Sequence, residues 1–315
     1  MGGLGRASAK LLLFGEHAAV YGHGAIGVSL PECTTVRLSD DGGRGWDLGA
    51  VPVDDREKVQ SVLARLEALL PELAARGRCR VLIDYTVERG VGFGSSAALC
   101  GAFALAALAH AGADRATDHE HAWHLAHDAE HLFHGTPSGI DTGLSLASGM
   151  FAFLPRPPQL PARQPLSASP LHLVVAAVPR AEGCGELVGA LGERVRSGEQ
   201  AARRSIEALG ACAARAREVL ESGAGGVVES IAALANEAME TLALLGLGTP
   251  WLEELLSAGR AAGALGGKLS GAGGGGAFFL VARDEAGARV IASRVRAHAE
   301  AAAIPLVSVP RVVLT

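Results

Sequence analysis

Along the chain, short apolar and β-branched runs are unevenly interspersed with longer segments of helical periodicity. Ala9–Phe14, Ala25–Leu30 and Thr34–Leu38 read as strands, the first two separated by a glycine-bearing turn around Tyr21–Gly24. Asp55–Leu70 sets Val59, Val62, Leu63, Leu66, Leu69 and Leu70 on one side of a helix that Pro71 breaks. Arg80–Val87 is a strand running into a glycine-rich turn and a helix over about Ser95–Ala111. A second helix covers roughly Asp118–Phe133, and Leu144–Leu154 reads as a pair of short strands. The proline-rich stretch 155–170 reads as a linker. Beyond it come a strand over Leu171–Val178 and a helical region from about Glu186 to Gly263, broken at Gly223–Gly226 and Gly246–Pro250. A glycine run, a strand over Ala277–Val281, a helix over Glu285–Ala303 and a last strand near Leu306–Val313 finish the chain. No βαβ repeat recurs, so the pattern predicts an α+β architecture rather than a doubly wound sheet. The linker divides it into two domains, 1–165 and 166–315.

Composition narrows the class. Of 315 residues, 49% are hydrophobic and 19% charged, as in a folded globular protein. The net charge of −5 argues against nucleic acid or an anionic membrane as a partner. Five cysteines, Cys33, Cys79, Cys100, Cys184 and Cys212, are scattered without a CxxC pair, which indicates neither a disulfide framework nor a zinc site and points to a reducing cytoplasm. Only Lys10, Lys58 and Lys268 are lysines in a chain rich in arginine, so a retained lysine suggests a need for a compact ammonium.

Four segments carry candidate chemistry. In Glu130–Asp141, a carboxylate ends a helical run, and a stiff loop with Gly135, Pro137 and Gly139 carries a second one. Two carboxylates of unlike setting suit a divided task, one holding a metal and one handling a proton. In Gly90–Ala98, Gly90, Gly92 and Gly94 precede Ser95 and Ser96 at a strand-to-helix junction, where free amides and the helix dipole favour phosphate. The same residues also suit a plain serine-capped turn. Lys268–Gly276 places four consecutive glycines before a buried strand, a pattern better explained by close approach to a ligand than by a linker. It is no Walker A loop, because Ala262 and Leu269 occupy two defining positions. Ala7–Gly22 puts Lys10 on an apolar strand followed closely by Glu16 and His17. Together these are the parts for phosphoryl transfer from a magnesium nucleotide to a hydroxyl. His119, His121, His124, His127, His131 and His134 crowd one helix, but HExxH is not met, and a solvated face is the better reading.

These segments resemble the motifs of the GHMP kinases, in order and over nearly the whole chain. Leu13–His17 with Val20–Gly22, and His134–Asp141, are similar to the mevalonate kinase branch. The resemblance implies a two-domain fold with the active site in the cleft between domains, and ATP-dependent phosphorylation of mevalonate, with Mg²⁺ and ATP required. It implies Asp141 as the base, Lys10 as its partner, and Glu130 and Ser96 as Mg²⁺ ligands. Glu16 and His17 would line the substrate pocket. Gly90, Gly92, Gly94, Ser95 and Ser96 would cradle phosphate, with Ser270, Gly271, Gly273 and Gly274 shaping the site from the other domain. A homodimer is common among such proteins. The chain departs from the family pattern at Ala7-Ser8-Ala9-Lys10, at Glu88 in place of proline and at Phe93 in place of leucine, none of which removes a reacting group.

Overall fold

The computed structural model describes residues 2–40, 45–74, 79–112, 119–167, 170–180, 184–223 and 225–315. The expected helix start at Asp118, residues 168–169 of the expected linker and Ala224 within the expected glycine break lie outside them. The first half contains β1 (Gly3–Phe14), β2 (Ala25–Asp40), β3 (Trp46–Asp47), α1 (Arg56–Leu69), α2 (Pro71–Ala74), β4 (Cys79–Tyr85), α3 (Ser95–Ala111), α4 (His119–Glu130), α5 (Ile140–Ser145), β5 (Met150–Arg156) and β6 (Gln159–Pro165). The second contains β7 (His172–Val178), α6 (Cys184–Arg196), α7 (Gln200–Ser222), α8 (Val227–Leu244), α9 (Pro250–Ala261), β8 (Gly266–Leu269), β9 (Gly276–Ala282), α10 (Glu285–Ala301) and β10 (Ser308–Leu314).

The strands form two sheets. One runs β3-β4-β2-β5-β6, with β1 on the other side of β2; the second runs β10-β7-β9-β8 and is antiparallel throughout. The fold is α+β. Alternation along β1 serves two cores at once. Ala9, Leu11 and Leu13 pack into the cluster shared with the second sheet, while Ala7 and Leu12 pack with α1, α3 and α4.

Three expectations change. The two strands expected at 25–38 are one long strand, β2, interrupted by a bulge. Its register against β1 jumps from Cys33 opposite Ser8 to Ser29 opposite Lys10, around Pro31, which has no N–H to give the ladder. The expected pair of strands at 144–154 is instead the end of α5 followed by β5. Residues 159–165 of the expected linker form β6, paired with β5 in a hairpin at the edge of the sheet. An edge position tolerates Pro161 and Pro165, because the missing donors face no partner.

One edge of β1 positions the site. Lys10 and Leu12 turn their backbone N–H groups to the same side, and neither bond goes to β2. Lys10 N donates to Phe93 O at 2.9 Å, and Leu12 N donates to Ser270 Oγ at 3.0 Å. One strand edge therefore receives a glycine-rich loop from each half of the chain.

Candidate active site

Lys10 sits on the buried centre of β1, and its Nζ lies 3.0 Å from Asp141 Oδ1. The lysine side chain is 5% exposed and that of Asp141 35%, so the ammonium is enclosed while the carboxylate is partly open to solvent. Asp141 stands in the first turn of α5, which begins after Gly139 at φ +77°. Trp123 of α4 donates its Nε1–H to Gly139 O at 2.8 Å, and Thr142 Oγ1 donates to the same carbonyl at 3.1 Å. These bonds fix the turn from which Asp141 projects.

Gly94 precedes α3 at φ +74° and no side chain caps the helix, so neither Ser95 nor Ser96 acts as the cap. The amides of that first turn remain available to an anion. Gly94 is required for a second reason. A Cβ there would stand 2.7 Å from Lys10 Cγ and 2.9 Å from Lys10 Cε, so the lysine stem reaches Asp141 only because Gly94 has no side chain. Gly90 (φ +77°) is exposed, with open space where a Cβ would be, and Gly92 has φ +102°.

Glu130, the last residue of α4, is 1% exposed. Burial pushes its carboxyl up to about 8, the Asp141 charge pushes in the same direction, and Lys10 opposes both. Its Oε1 is buried without a hydrogen-bond partner among the described residues. Ser96 starts the helix face that continues to Cys100, whose thiol feels the Glu130 charge. Ser96 Oγ also lies 3.3 Å from His134 Nε2. Burial depresses the pKa of His134.

The second glycine loop closes the site from the other half. Gly271, Gly273, Gly274, Gly275 and Gly276 all hold φ between +68° and +102°, a region L-side chains rarely adopt. Gly273 packs on Leu247, and Gly274 N donates to Leu247 O at 2.9 Å. A Cβ on Gly276 would lie 3.0 Å from Val91 O, so the two glycine loops touch. Gly271 faces open space. Ser270 is buried and serves as the acceptor for Leu12 N.

Glu16 and His17 follow the end of β1, and both are tied to the second half of the chain. Glu16 is buried in an ion pair with Lys268 of β8, with Phe14 and Phe279 packed around the ammonium. Lys268 Nζ also donates to Leu269 O at 2.7 Å. Burial raises the Glu16 pKa and lowers that of Lys268, against the pull of the pairing in both cases. His17 adopts φ +59°, unusual for a non-glycine, and its Nε2–H donates to Ala272 O at 3.1 Å. Burial lowers its pKa to about 4, which keeps the ring neutral near pH 7.

Two contributors carry no sequence signal. Trp123 lies within the expected helix with no motif to mark it. Arg180, just beyond β7, brings its guanidinium against both glycine loops. Nη2 would lie 3.2 Å from a Cβ on Gly92, and Nε 3.0 Å from one on Gly276. An exposed cation there suits phosphate oxygens. The 570 Å³ hollow beyond Thr136–Ile140, lined by Val20, His23, His124 and Pro161, contains neither Lys10 nor Asp141.

Two family models match the chain. "GHMP kinases N terminal domain" matches residues 58–149 and "GHMP kinases C terminal" matches 216–301. The chain is 31% identical to the mevalonate kinase of Aeropyrum pernix, with 94% of each chain covered. It is 30% identical to that of Pyrococcus horikoshii, covering 89% of this chain and 88% of the relative. The solved structure of L. major mevalonate kinase in complex with R-mevalonate superposes with a TM-score of 0.76 at 24% identity, over 94% of this chain and 91% of the other. With a carboxylate and a lysine paired where two glycine-rich loops meet, the chain belongs to the GHMP kinase family.

Proposed function

We propose that the protein is a mevalonate kinase, transferring the γ-phosphoryl group of ATP to the C5 hydroxyl of (R)-mevalonate to give 5-phosphomevalonate and ADP in isoprenoid precursor biosynthesis. The observation that carries this reading is the Lys10–Asp141 pair beside two glycine loops, in a chain whose full-length relatives are mevalonate kinases. Asp141 accepts the hydroxyl proton as the oxygen attacks phosphorus. Lys10, held within 3.0 Å of Asp141, stabilises the developing alkoxide. The free amides after Gly94, the Gly271–Gly274 turn and Arg180 bind the phosphates. The 180 Å³ pocket lined by Tyr85, Arg89, Gly90, Ser95 and Phe133 accepts the nucleoside end.

The residues present fit Mg²⁺. A buried carboxylate with an unpartnered oxygen, Glu130, and a hydroxyl, Ser96, are hard oxygen donors beside the phosphate loop. They would hold the ion, which supplies charge neutralisation for the phosphate oxygens. Glu16 and His17 border the alcohol, with neutral His17 as a hydrogen-bonding group. The two domains of this reading are 1–165 and 166–315, meeting at the cleft. No helix among the described residues is long and apolar enough to cross a membrane. A cytoplasmic enzyme fits the buried cysteines Cys33, Cys79, Cys100 and Cys212, none of which is in a disulfide among the described residues. A homodimer is part of the same reading.

A coupled ADP-release assay across mevalonate, phosphomevalonate, homoserine and galactose tests the proposal. Turnover is expected with mevalonate at a kcat/KM well above the others. Preference for another alcohol refutes the substrate, and ATP turnover with none refutes the kinase reading.

A further inference from the structure

Away from the cleft, three side chains with metal-binding chemistry converge at the far end of the first sheet. Asp40 ends β2 and Cys79 begins β4, and the two are directly opposite in the ladder. His110, in the last turn of α3, lies over that final rung. Cys79 Sγ stands 3.0 Å from His110 Nε2 and 3.7 Å from Asp40 Oδ1, and Nε2 stands 3.4 Å from the same carboxylate oxygen. Tetrahedral zinc, with bonds of about 2.3 Å to sulfur and about 2.0–2.2 Å to nitrogen and oxygen, sets ligand-to-ligand edges of about 3.3–3.6 Å. The nitrogen–oxygen edge falls in that range and the sulfur–oxygen edge just above it, while the sulfur–nitrogen edge is a hydrogen-bond contact that opens by about 0.5 Å to admit the ion.

We propose that Asp40, Cys79 and His110 form a structural zinc site, with a fourth, exchangeable ligand on the solvent side. A thiol, an imidazole and a carboxylate are a donor set suited to Zn²⁺ and poorly suited to Mg²⁺. Cys79 and His110 are each 1% exposed, while the Asp40 side chain is 47% exposed, so the ligands are fixed at the base and reachable from the rim. The backbone makes room for this arrangement. A Cβ on Gly3 would stand 2.8 Å from His110 Cβ, so β1 passes beneath the histidine only as glycine. Fifteen residues of α3 separate His110 from Ser95, about 22 Å along the helix, which places the metal outside the reaction centre. Binding converts the Cys79 thiol to thiolate, releases one proton to solvent and ties β2, β4 and α3 together where the sheet ends.

The test uses the full chain, stripped with a chelator, kept reduced and titrated with Co²⁺. Tetrahedral visible bands and a thiolate-to-cobalt absorption in the near ultraviolet should saturate at one ion per chain and be displaced by Zn²⁺. Cys79→Ser should abolish the thiolate band. Asp40→Asn, at the exposed rim, should weaken Zn²⁺ binding by about tenfold or more while kinase activity in saturating Mg²⁺ stays at the wild-type level. If Cys79→Ser does not fold, the wild-type spectrum and the Asp40→Asn affinity decide the matter. No thiolate band in the wild type, a band that survives Cys79→Ser, or unchanged affinity in Asp40→Asn overturns the site and leaves a hydrogen-bonded Cys–His pair.

Discussion

The buried pair Glu16–Lys268 joins the end of β1 to β8, and removing either partner should destabilise the protein in a way that depends on which charge is left. Both side chains are essentially inaccessible, at 1% and 0% exposure, and aromatic rings flank the ammonium. Glu16→Gln strands Lys268, which escapes the penalty by losing its proton. Neutralising an ordinary lysine at pH 7 costs about 5 kcal/mol, which caps the loss. Lys268→Met strands Glu16, and protonating an ordinary glutamate at pH 7 costs about 3.5 kcal/mol. Both figures fall near the roughly 3–5 kcal/mol seen when one member of a buried ion pair is removed. The double variant buries neither charge and should lie within about 2 kcal/mol of wild type. The pH dependence separates the two single variants. A lysine neutral only in the folded state becomes cheaper to hold as pH rises toward its unfolded pKa, so the Glu16→Gln penalty shrinks with rising pH. A glutamate protonated only in the folded state becomes cheaper as pH falls, so the Lys268→Met penalty shrinks with falling pH. Each slope approaches about 1.4 kcal/mol per pH unit. Urea unfolding of the four proteins at pH 6, 7 and 8 measures all of this. Single-variant losses under about 1 kcal/mol, additive losses in the double variant, or parallel pH profiles would refute the reasoning.

Gly94→Ala should cut kcat strongly while leaving most of the fold intact, because the new Cβ occupies the path of the Lys10 stem and φ +74° is strained for alanine at about 1–2 kcal/mol. Wild-type kcat in this variant would mean that Lys10 does not need that path. Glu130 carries a pH prediction for the metal-free protein. Its folded-state pKa of about 8 exceeds the unfolded value, so its stabilising contribution is full below about 4.5 and lost as pH rises through about 8. Glu130→Gln should flatten that decline, and unfolding midpoints from pH 5 to 9 that run parallel in both proteins would contradict it. Arg180→Ala should raise the KM for ATP while leaving the KM for mevalonate nearly unchanged; the reverse pattern in steady-state kinetics would place Arg180 on the alcohol instead.

Residue types and order were more legible in the sequence than pairings were. The glycine spacing at Gly90–Gly94 and Gly271–Gly276 signalled phosphate loops because positive φ and close approach both demand glycine. The Lys10–Asp141 pairing, across 131 residues, was legible only through the family resemblance, while the path of the Lys10 stem past Gly94 and the inward turn of Lys268 to Glu16, across 252 residues, are encoded by no local pattern. Arg180 stands alone after a strand and has no motif to mark it. β6 was hidden because prolines tolerated on a sheet edge look like a linker when its hairpin partner is unknown. β2 looked like two strands because the Pro31 bulge interrupts its alternation without ending its pairing.

The most direct test of the central claim is single-turnover phosphorylation of mevalonate by wild type, Asp141→Asn and Lys10→Ala, with nucleotide binding measured in parallel. Asp141 acting on the hydroxyl proton with Lys10 beside it predicts that Asp141→Asn loses roughly 10²–10⁴-fold in the chemical step with ATP affinity nearly intact. The Lys10→Ala chemical step should fall by a comparable factor. A rate for Asp141→Asn within a few-fold of wild type would contradict the account.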